Sequence, residues 1–253
     1  MSKMHRWLVG GAMLALAGCV STPAQVKPHV RPVGDATEAG NRDDADVKRV
    51  LDGVRMIQAG HIQAAIDGPF DEVVERYETR YAGSREKIFS ARGTADALLY
   101  AATALSAKPP LSAQVIGPAW AMAYWGRGYA YNEMARYDNA IVELRKALAL
   151  APDDAQYNIE LAYAYQQKRQ WQTSLELFKT AEAFVEMTVP APEVANITCK
   201  ALRGQGYDLV EMHQYDDARA AYNACLKQIP DEPRSLGELK YIDQVEARKP
   251  VGF

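Results

Sequence analysis

The sequence predicts an all-α fold of antiparallel helix pairs. Two observations support this prediction: small and large apolar residues recur in register after 34 residues, and the prolines between the periodic runs mark where helices end. No stretch suggests a β-strand. With 253 residues, 48% of them hydrophobic, the chain can bury an ordinary globular core.

The clearest repeat runs from Ala121 to Asp154. Large side chains stand at positions 4, 11, 17 and 24, small ones at positions 8, 20 and 27, and proline at position 32. Large residues fill the seam between two helices, small ones permit close approach, and proline ends the second helix. In order of position these residues are Tyr124, Gly128, Tyr131, Tyr137, Ala140, Leu144, Ala147 and Pro152.

Two further copies follow in the same register. The second begins at Ala155 and the third at Cys199, so about ten extra residues separate them. The second copy departs from the pattern at Asn158, at position 4, and at Glu186, at position 32. Its matching residues are Ala162, Tyr165, Trp171, Ser174, Phe178 and Ala181; those of the third copy are Leu202, Gly206, Leu209, Tyr215, Ala218, Tyr222, Cys225 and Pro230.

These positions are similar to the signature of the tetratricopeptide repeat, in three copies over residues 121–232. The resemblance implies a right-handed superhelix of helix pairs. It also implies that positions 2, 5, 9, 12 and 13 of each first helix face a concave surface that binds peptides.

Outside the three copies the periodicity is weaker. Val47–Ala65 is typical of half a degenerate repeat, Phe70–Tyr81 and Arg85–Ala107 have helical spacing, and Ser235 to Glu238 fits a capping box. The expected organisation is a signal peptide (1–18), a flexible tether (19–45), an irregular helical region (46–118), two repeats (119–187), an inserted loop (188–196), the third repeat (197–232) and a capping helix (235–247).

The N-terminus has the features of an export signal. Basic residues precede an apolar run that is too short for a permanent membrane span. The run ends in Leu16-Ala17-Gly18-Cys19, which resembles the bacterial lipobox and implies acylation of Cys19 and cleavage before it. Val20 follows where inner-membrane retention usually has Asp, which implies the outer membrane. The alternative is a plain secretory signal with an incidental cysteine.

Charge argues against a nucleic-acid partner. The chain has 29 Lys and Arg against 32 Asp and Glu, and loss of residues 1–18 leaves 27 against 32, a formal charge of −5. Attachment to a membrane would then rest on the acyl chains.

No arrangement of residues indicates catalysis, a cofactor or a metal site. His61 and His213 fall near predicted turns, and the Gly126-Arg127-Gly128 triplet lies inside a predicted helix, where glycine serves packing rather than phosphate binding. Paired acids such as Asp153 and Asp154 are typical of helix caps. Asn196 fits the N-cap of the third repeat better than a glycosylation site.

Two cysteines remain if Cys19 is acylated. Cys199 and Cys225 fall at the same end of one antiparallel helix pair, so an oxidising compartment would permit a disulfide. The alternative, which the sequence supports equally, is that the two cysteines are not bonded. Cys225 is then only the small residue expected at position 27, and Cys199 is an incidental neighbour.

The candidate groove follows from the repeat register. Position 9 is tyrosine in all three copies, and amides and charges accompany it at the other concave positions. Such a surface is typical of protein recognition. Alternatively, the tyrosines pack under the flanking helices. The candidate residues are Trp125, Tyr129, Asn132, Tyr163, Gln166, Lys200, Arg203 and Tyr207.

Two functions are consistent with the sequence. The first is a lipid-anchored periplasmic scaffold that binds an envelope protein or a peptide segment of it, as in outer-membrane lipoproteins with similar repeats that assist pilus, wall or barrel assembly. This chain departs from the lipoproteins that assist pilus assembly, because its clear repeats begin only at residue 121. The second is an envelope enzyme with a site in residues 46–118, for which the candidate groups are Asp71, Glu72, Glu75, Arg80 and Arg85.

Overall fold

Stacked pairs of antiparallel helices form the body of the protein, which is an all-α solenoid. The computed structural model describes residues 28–31 and 38–247, so the predicted signal peptide and Cys19 lie outside the described residues. The helices are α1 (Glu38–Gln58), α2 (Ile62–Ala65), α3 (Asp71–Tyr81), α4 (Thr94–Ser106), α5 (Ala119–Glu133), α6 (Tyr137–Leu150), α7 (Ala155–Gln167), α8 (Trp171–Thr188), α9 (Val194–Glu211), α10 (Tyr215–Gln228) and α11 (Pro233–Ala247).

The three predicted repeats are the pairs α5/α6, α7/α8 and α9/α10. Position 15 of each repeat lies in the turn between the paired helices and has a positive φ: 54° at Ala135, 56° at Arg169 and 60° at His213. The following amide then bonds the carbonyl five residues earlier, as Arg136 N–H does to Tyr131 at 2.8 Å. The same local sequence pattern therefore produces the same turn three times.

A fourth pair precedes these three. A π-helical turn, Ile66–Phe70, joins α2 to α3, and α1 packs against the resulting helix. The turn between α1 and α2 repeats the geometry of the others, because Gly60 has a φ of 84° and His61 N–H donates to Met56 at 2.8 Å. The half repeat predicted at Val47–Ala65 is therefore part of a complete but irregular helix pair.

Phe70 fills the seam of this first pair. A Cβ on Gly53 of α1 would lie 2.6 Å from the Phe70 ring, and one on Gly126 of α5 would lie 2.5 Å from it. Gly128 faces Leu144 in the same way within α5/α6, at 2.4 Å. Phe70 is the counterpart of Leu144 but stands one residue later in its repeat, since the π-helical turn adds a residue.

A small parallel sheet is inserted between the irregular helix pair α1–α3 and the pair α5/α6. β2 (Lys87–Ser90) and β3 (Ala113–Ile116) pair in parallel, with α4 as the crossover between them. β1 (Val30–Arg31) pairs in parallel with the other edge of β3, so the strand order is β1-β3-β2. Phe89 of β2 stacks on Tyr100 of α4, with ring centroids 5.2 Å apart. We call residues 87–116 the β-α-β insertion.

The sheet corrects the prediction that no stretch forms a β-strand, and with it two predicted segments. Residues 85–107 were expected to be helical, but 87–90 form a strand and the helix covers only 94–106. Four-residue strands are too short to show an alternating pattern, and they depend on pairing with distant residues. The expected tether, 19–45, also contains β1 and the first turns of α1.

Helix boundaries near the third repeat differ as well. α9 begins at Val194, which shortens the expected loop 188–196 and places Asn196 inside the helix rather than at its N-cap. α11 begins at Pro233, and the Glu232 carboxylate accepts the Ser235 amide at 2.6 Å, so Ser235 does not cap the helix. The expected cap at Asp154 is confirmed, since its carboxylate accepts the Tyr157 amide at 3.1 Å.

Candidate functional site

The first helices α5, α7 and α9 line a groove of about 440 Å³. Each contributes the tyrosine at position 9 of its repeat: Tyr129, Tyr163 and Tyr207. Tyr163 and Tyr207 expose 39% and 42% of their surface. We call this surface the tyrosine groove; its other lining residues are Glu133, Ile159, Glu160, Gln166, Phe178, Lys200, Arg203, Gly204 and Arg234.

Aromatic neighbours hold the groove tyrosines in place. Tyr163 meets Tyr137 edge-on at 6.4 Å, and Tyr207 meets Trp171 edge-on at 5.9 Å. Tyr137 and Trp171 occupy position 17 of the preceding repeat, so the same contact joins two successive repeats. The rings are thus oriented before any ligand binds, which lowers the entropy cost of binding.

Trp125 does not line the groove, although its position in the repeat predicted that it would. It is half-buried and stacks between two rings, Tyr129 at 5.8 Å and Tyr157 at 6.2 Å. Because Tyr157 comes from the next repeat, Trp125 serves the packing between repeats.

The predicted role of Asn132 is also corrected. Only 4% of Asn132 is exposed, and its amide donates to the backbone carbonyl of Glu160 at 3.0 Å. Gln166 makes the equivalent bond one repeat later, to Gly204 at 3.1 Å, while still lining the groove. Both amides stand at position 12 and both acceptors at position 6 of the following repeat. Position 12 therefore ties neighbouring repeats together.

Charged side chains frame the groove in pairs. Lys200 bonds the Glu160 carboxylate at 2.9 Å, and Arg203 lies 3.5 Å from Glu232. Sequence reasoning missed Glu160 and Arg234 as groove residues. The repeat register gave no concave role to position 6, where Glu160 stands, and Arg234 reaches the groove only through the packing of α11.

Asp208 of α9 is fully buried beside the groove residue Gln166, whose amide donates to it at 3.0 Å. Burial raises the pKa of the Asp208 carboxyl to about 7, although the nearby Ser174 and Gln166 side chains lower it in part. This carboxyl therefore titrates near neutral pH.

Cys199 of α9 and Cys225 of α10 form a disulfide, with Cα atoms 4.5 Å apart. Glu232 lies beside the two sulfur atoms. Burial opposes ionisation of Glu232, but hydrogen bonds from Ser235 and the charge of Arg203 hold its pKa below the usual value. Glu232 thereby links the disulfide, α11 and Arg203.

A second cavity, of about 730 Å³, lies at the carboxyl edge of β2 and β3. This edge is where parallel sheets commonly bind ligands. Of the groups proposed for an enzyme site, only Arg80 lines the cavity. Asp71 instead lies 3.3 Å from Arg127, and Glu72 lies 2.5 Å from Arg49. The structure does not bring the proposed cluster together.

Among the described residues, no helix has both the length and the apolar composition needed to span a membrane.

The fold and the groove together define a solenoid of stacked helix pairs with an open concave surface. Residues 121–154 match the tetratricopeptide repeat family. This is the stretch in which the repeat pattern of the sequence is clearest. No curated protein matches the sequence at a significant level.

Several solved structures resemble the chain at low sequence identity. The first TPR of Spaghetti (RPAP3), bound to the HSP90 peptide SRMEEVD, is 20% identical with a TM-score of 0.44, covering 50% of this chain and 93% of its own. MamA from Desulfovibrio magneticus is 16% identical with a TM-score of 0.47, covering 76% and 80%. A TPR protein of Thermus thermophilus is 15% identical with a TM-score of 0.40, covering 78% and 98%.

Proposed function

We propose that this protein is a lipid-anchored scaffold of the bacterial cell envelope that binds a segment of a partner protein in the tyrosine groove. One observation carries the proposal: three consecutive repeats place a tyrosine at the same position, and all three rings line one groove. No described helix covers Tyr163 or Tyr207 completely, since both remain more than one third exposed.

The groove chemistry suits a peptide ligand. Rigid tyrosine rings bury apolar area at a small entropy cost, and their hydroxyls can hydrogen-bond a peptide backbone. Lys200 and Arg203 lie along the same surface, where their side chains can fix the register of a ligand. An extended or helical segment is the expected occupant.

The anchoring part of the proposal rests on the sequence. Residues 16–19 resemble a lipobox, which supports acylation at Cys19. Val20, the residue after that cysteine, supports sorting to the periplasmic face of the outer membrane. We propose no enzymatic activity, no cofactor and no nucleic-acid partner.

The groove is tested by replacing Tyr129, Tyr163 and Tyr207 together with alanine. Crosslinking and affinity capture with the wild-type protein first identify the partner. The triple variant should then bind that partner at least about 100-fold more weakly, because exposed rings at an interface contribute strongly to affinity. Tyr241→Ala on α11, where the ring is 51% exposed and outside the groove, is the matched control. Unchanged binding by a triple variant with normal circular dichroism would rule the groove out.

The anchor is tested separately with Cys19→Ala. Mass spectrometry of the wild-type mature protein should show an acylated N-terminal Cys19. In a flotation assay, the protein should float together with the membranes. The variant should leave the membrane fraction. A wild-type protein recovered unacylated from the soluble periplasm would contradict the anchor and leave the groove proposal standing.

A further inference from the structure

Helix α4 of the β-α-β insertion has an exposed apolar face. Leu98 and Leu105 expose 66% and 52% of their surface, and the exposed Ala95 and Ala102 extend the stripe at helical spacing. Leu111, after the helix, is 42% exposed. We call Ala95, Leu98, Ala102, Leu105 and Leu111 the α4 face.

This face lacks the charged residues of an ordinary surface helix. The one charged residue of α4 is Asp96, which is 2% exposed and accepts the Gly93 amide at 2.9 Å. Its exposed apolar residues are aliphatic. Protein interfaces, in contrast, are enriched in aromatic residues and arginine, as the tyrosine groove is. Contact of this face with hydrocarbon would therefore bury apolar area without removing a charged group from water.

The chain enters the described structure beside this face. Strand β1 is parallel to β3, so its N-terminal side lies near the start of β3, where the Ala113 amide donates to His29 at 2.9 Å. Leu111 lies two residues before Ala113, and its amide bonds Ala104 of α4 at 2.9 Å. Pro28 and His29, the first described residues, thus lie near the end of the sheet that is close to Leu105 and Leu111.

The length of that segment limits how far the face can lie from the membrane. Pro28 stands nine positions after Cys19, and a fully extended chain of this length reaches about 30 Å. If Cys19 is acylated, the sheet cannot be farther than this from the lipid headgroups.

We propose that the α4 face rests on the lipid bilayer that holds the acylated N-terminus, as a second point of membrane contact. This inference rests on the proposed lipid anchor. The acyl chains hold the protein on the membrane, and contact at the α4 face would bury further apolar area beside them. Two points of contact also fix the orientation of the insertion relative to the membrane.

The test uses the mature acylated protein in vesicles of phosphatidylethanolamine and phosphatidylglycerol that contain nitroxide-labelled lipid. A Leu105→Cys variant carries an environment-sensitive fluorophore; the disulfide and the acylation leave the introduced thiol as the reactive one. Val142→Cys on α6, where valine is 54% exposed, is the matched control. Nitroxide lipid should quench the fluorophore at position 105 several-fold more than the one at position 142.

Adding Leu98→Glu and Leu111→Glu to the Leu105→Cys variant should reduce quenching to the level of position 142, with flotation and circular dichroism unchanged. Equal quenching at positions 105 and 142 overturns the inference. So does a blue-shifted emission without lipid quenching, since a protein partner or a second copy then covers the face. Flotation separates the two proposals: protein that floats without quenching at position 105 retains the anchor alone, and protein that fails to float overturns both.

Discussion

Asp208 is a single residue at which the third repeat differs in chemistry from the other two. Asp208 stands at position 10 of its repeat. The same position holds Ala130 in the first repeat and Ala164 in the second, which are small residues that fit the close helix contact. In the third repeat this place holds a carboxyl group that is fully buried and has a pKa of about 7. The native state therefore binds a proton that the unfolded state releases near pH 4.

The sign of the pH dependence follows from this difference. Since the pKa is higher in the folded protein, the contribution of Asp208 to stability is greatest below its unfolded pKa, is lost as the pH rises through about 7, and does not change further at higher pH. Asp208→Asn should flatten this fall and make the protein more stable than wild type at pH 8. Thermal unfolding of both proteins from pH 4.5 to 8.5 measures the effect. Parallel Tm curves would show that Asp208 is ionised throughout.

At the level of elements, the first helix pair has the geometry of a repeat but little of its sequence. Its turn matches the others in φ and in hydrogen bonding, yet the aromatic seam positions are missing and Phe70 stands one residue out of register. In the sequence, only small residues stand near the expected places, namely Gly53, Gly60, Ala64 and Ala65. A pattern search with a fixed spacing misses a helix whose π-helical turn shifts the seam residue by one place.

Phe70 should carry much of the stability of this pair. Its side chain is fully buried between Gly53 and Gly126, so it packs α2–α3 against α1 and the whole pair against α5. Phe70→Ala should lower the free energy of unfolding by roughly 3–5 kcal/mol, the usual range for removing a buried ring. Urea unfolding measures the change. Leu51→Ala, at a 43% exposed site on α1, is the control and should cost far less.

The disulfide ties α9 to α10 across a sequence separation of 26 residues. Closing a loop of this size should stabilise the protein by about 3.5 kcal/mol in the chain-entropy model. The Cys199→Ser/Cys225→Ser variant should therefore unfold at a lower urea concentration than the oxidised wild type. The reduced wild type should resemble the variant. If labelling finds two free thiols in the denatured, non-reduced protein, the bond does not form in the native compartment.

For the whole molecule, one arginine docks the β-α-β insertion onto the solenoid. Arg92, just after β2, bonds Asp154 at 2.5 Å and Gln156 at 3.0 Å, and its guanidinium lies 5.0 Å from the centre of the Tyr157 ring. Burial raises the pKa of Asp154, and the charge of Arg92 opposes that rise. The cap of α7 and the attachment of the insertion thus depend on the same carboxylate.

Arg92→Ala should destabilise the protein by roughly 3–5 kcal/mol, because it leaves a buried carboxylate without its partner. Arg92→Lys retains the charge but loses the planar contact, so its effect should be smaller. Urea unfolding compares the three proteins, and limited proteolysis reports whether the insertion detaches. An Arg92→Ala protein as stable as wild type would show that the contacts of Arg92 are not needed to dock the insertion.

Much of the candidate site was predictable because a repeat register assigns each residue to a face. Tyr129, Tyr163 and Tyr207 share position 9, and the structure places all three in one groove. Trp125 and Asn132 were misassigned for one reason: the register says which way a side chain points, but not whether the next repeat lies against it. Both pack against residues of the second repeat.

The helix pairs of residues 121–232, their turns and the groove tyrosines could be read from the sequence, because these features depend on spacings within 34 residues. Three features became visible in the folded protein alone: the parallel sheet, the place of Arg234 at the groove and the docking of Arg92 on Asp154. Each of these joins segments that are distant in the chain. Such contacts form when packing brings the segments together, and a local pattern of residues does not encode them.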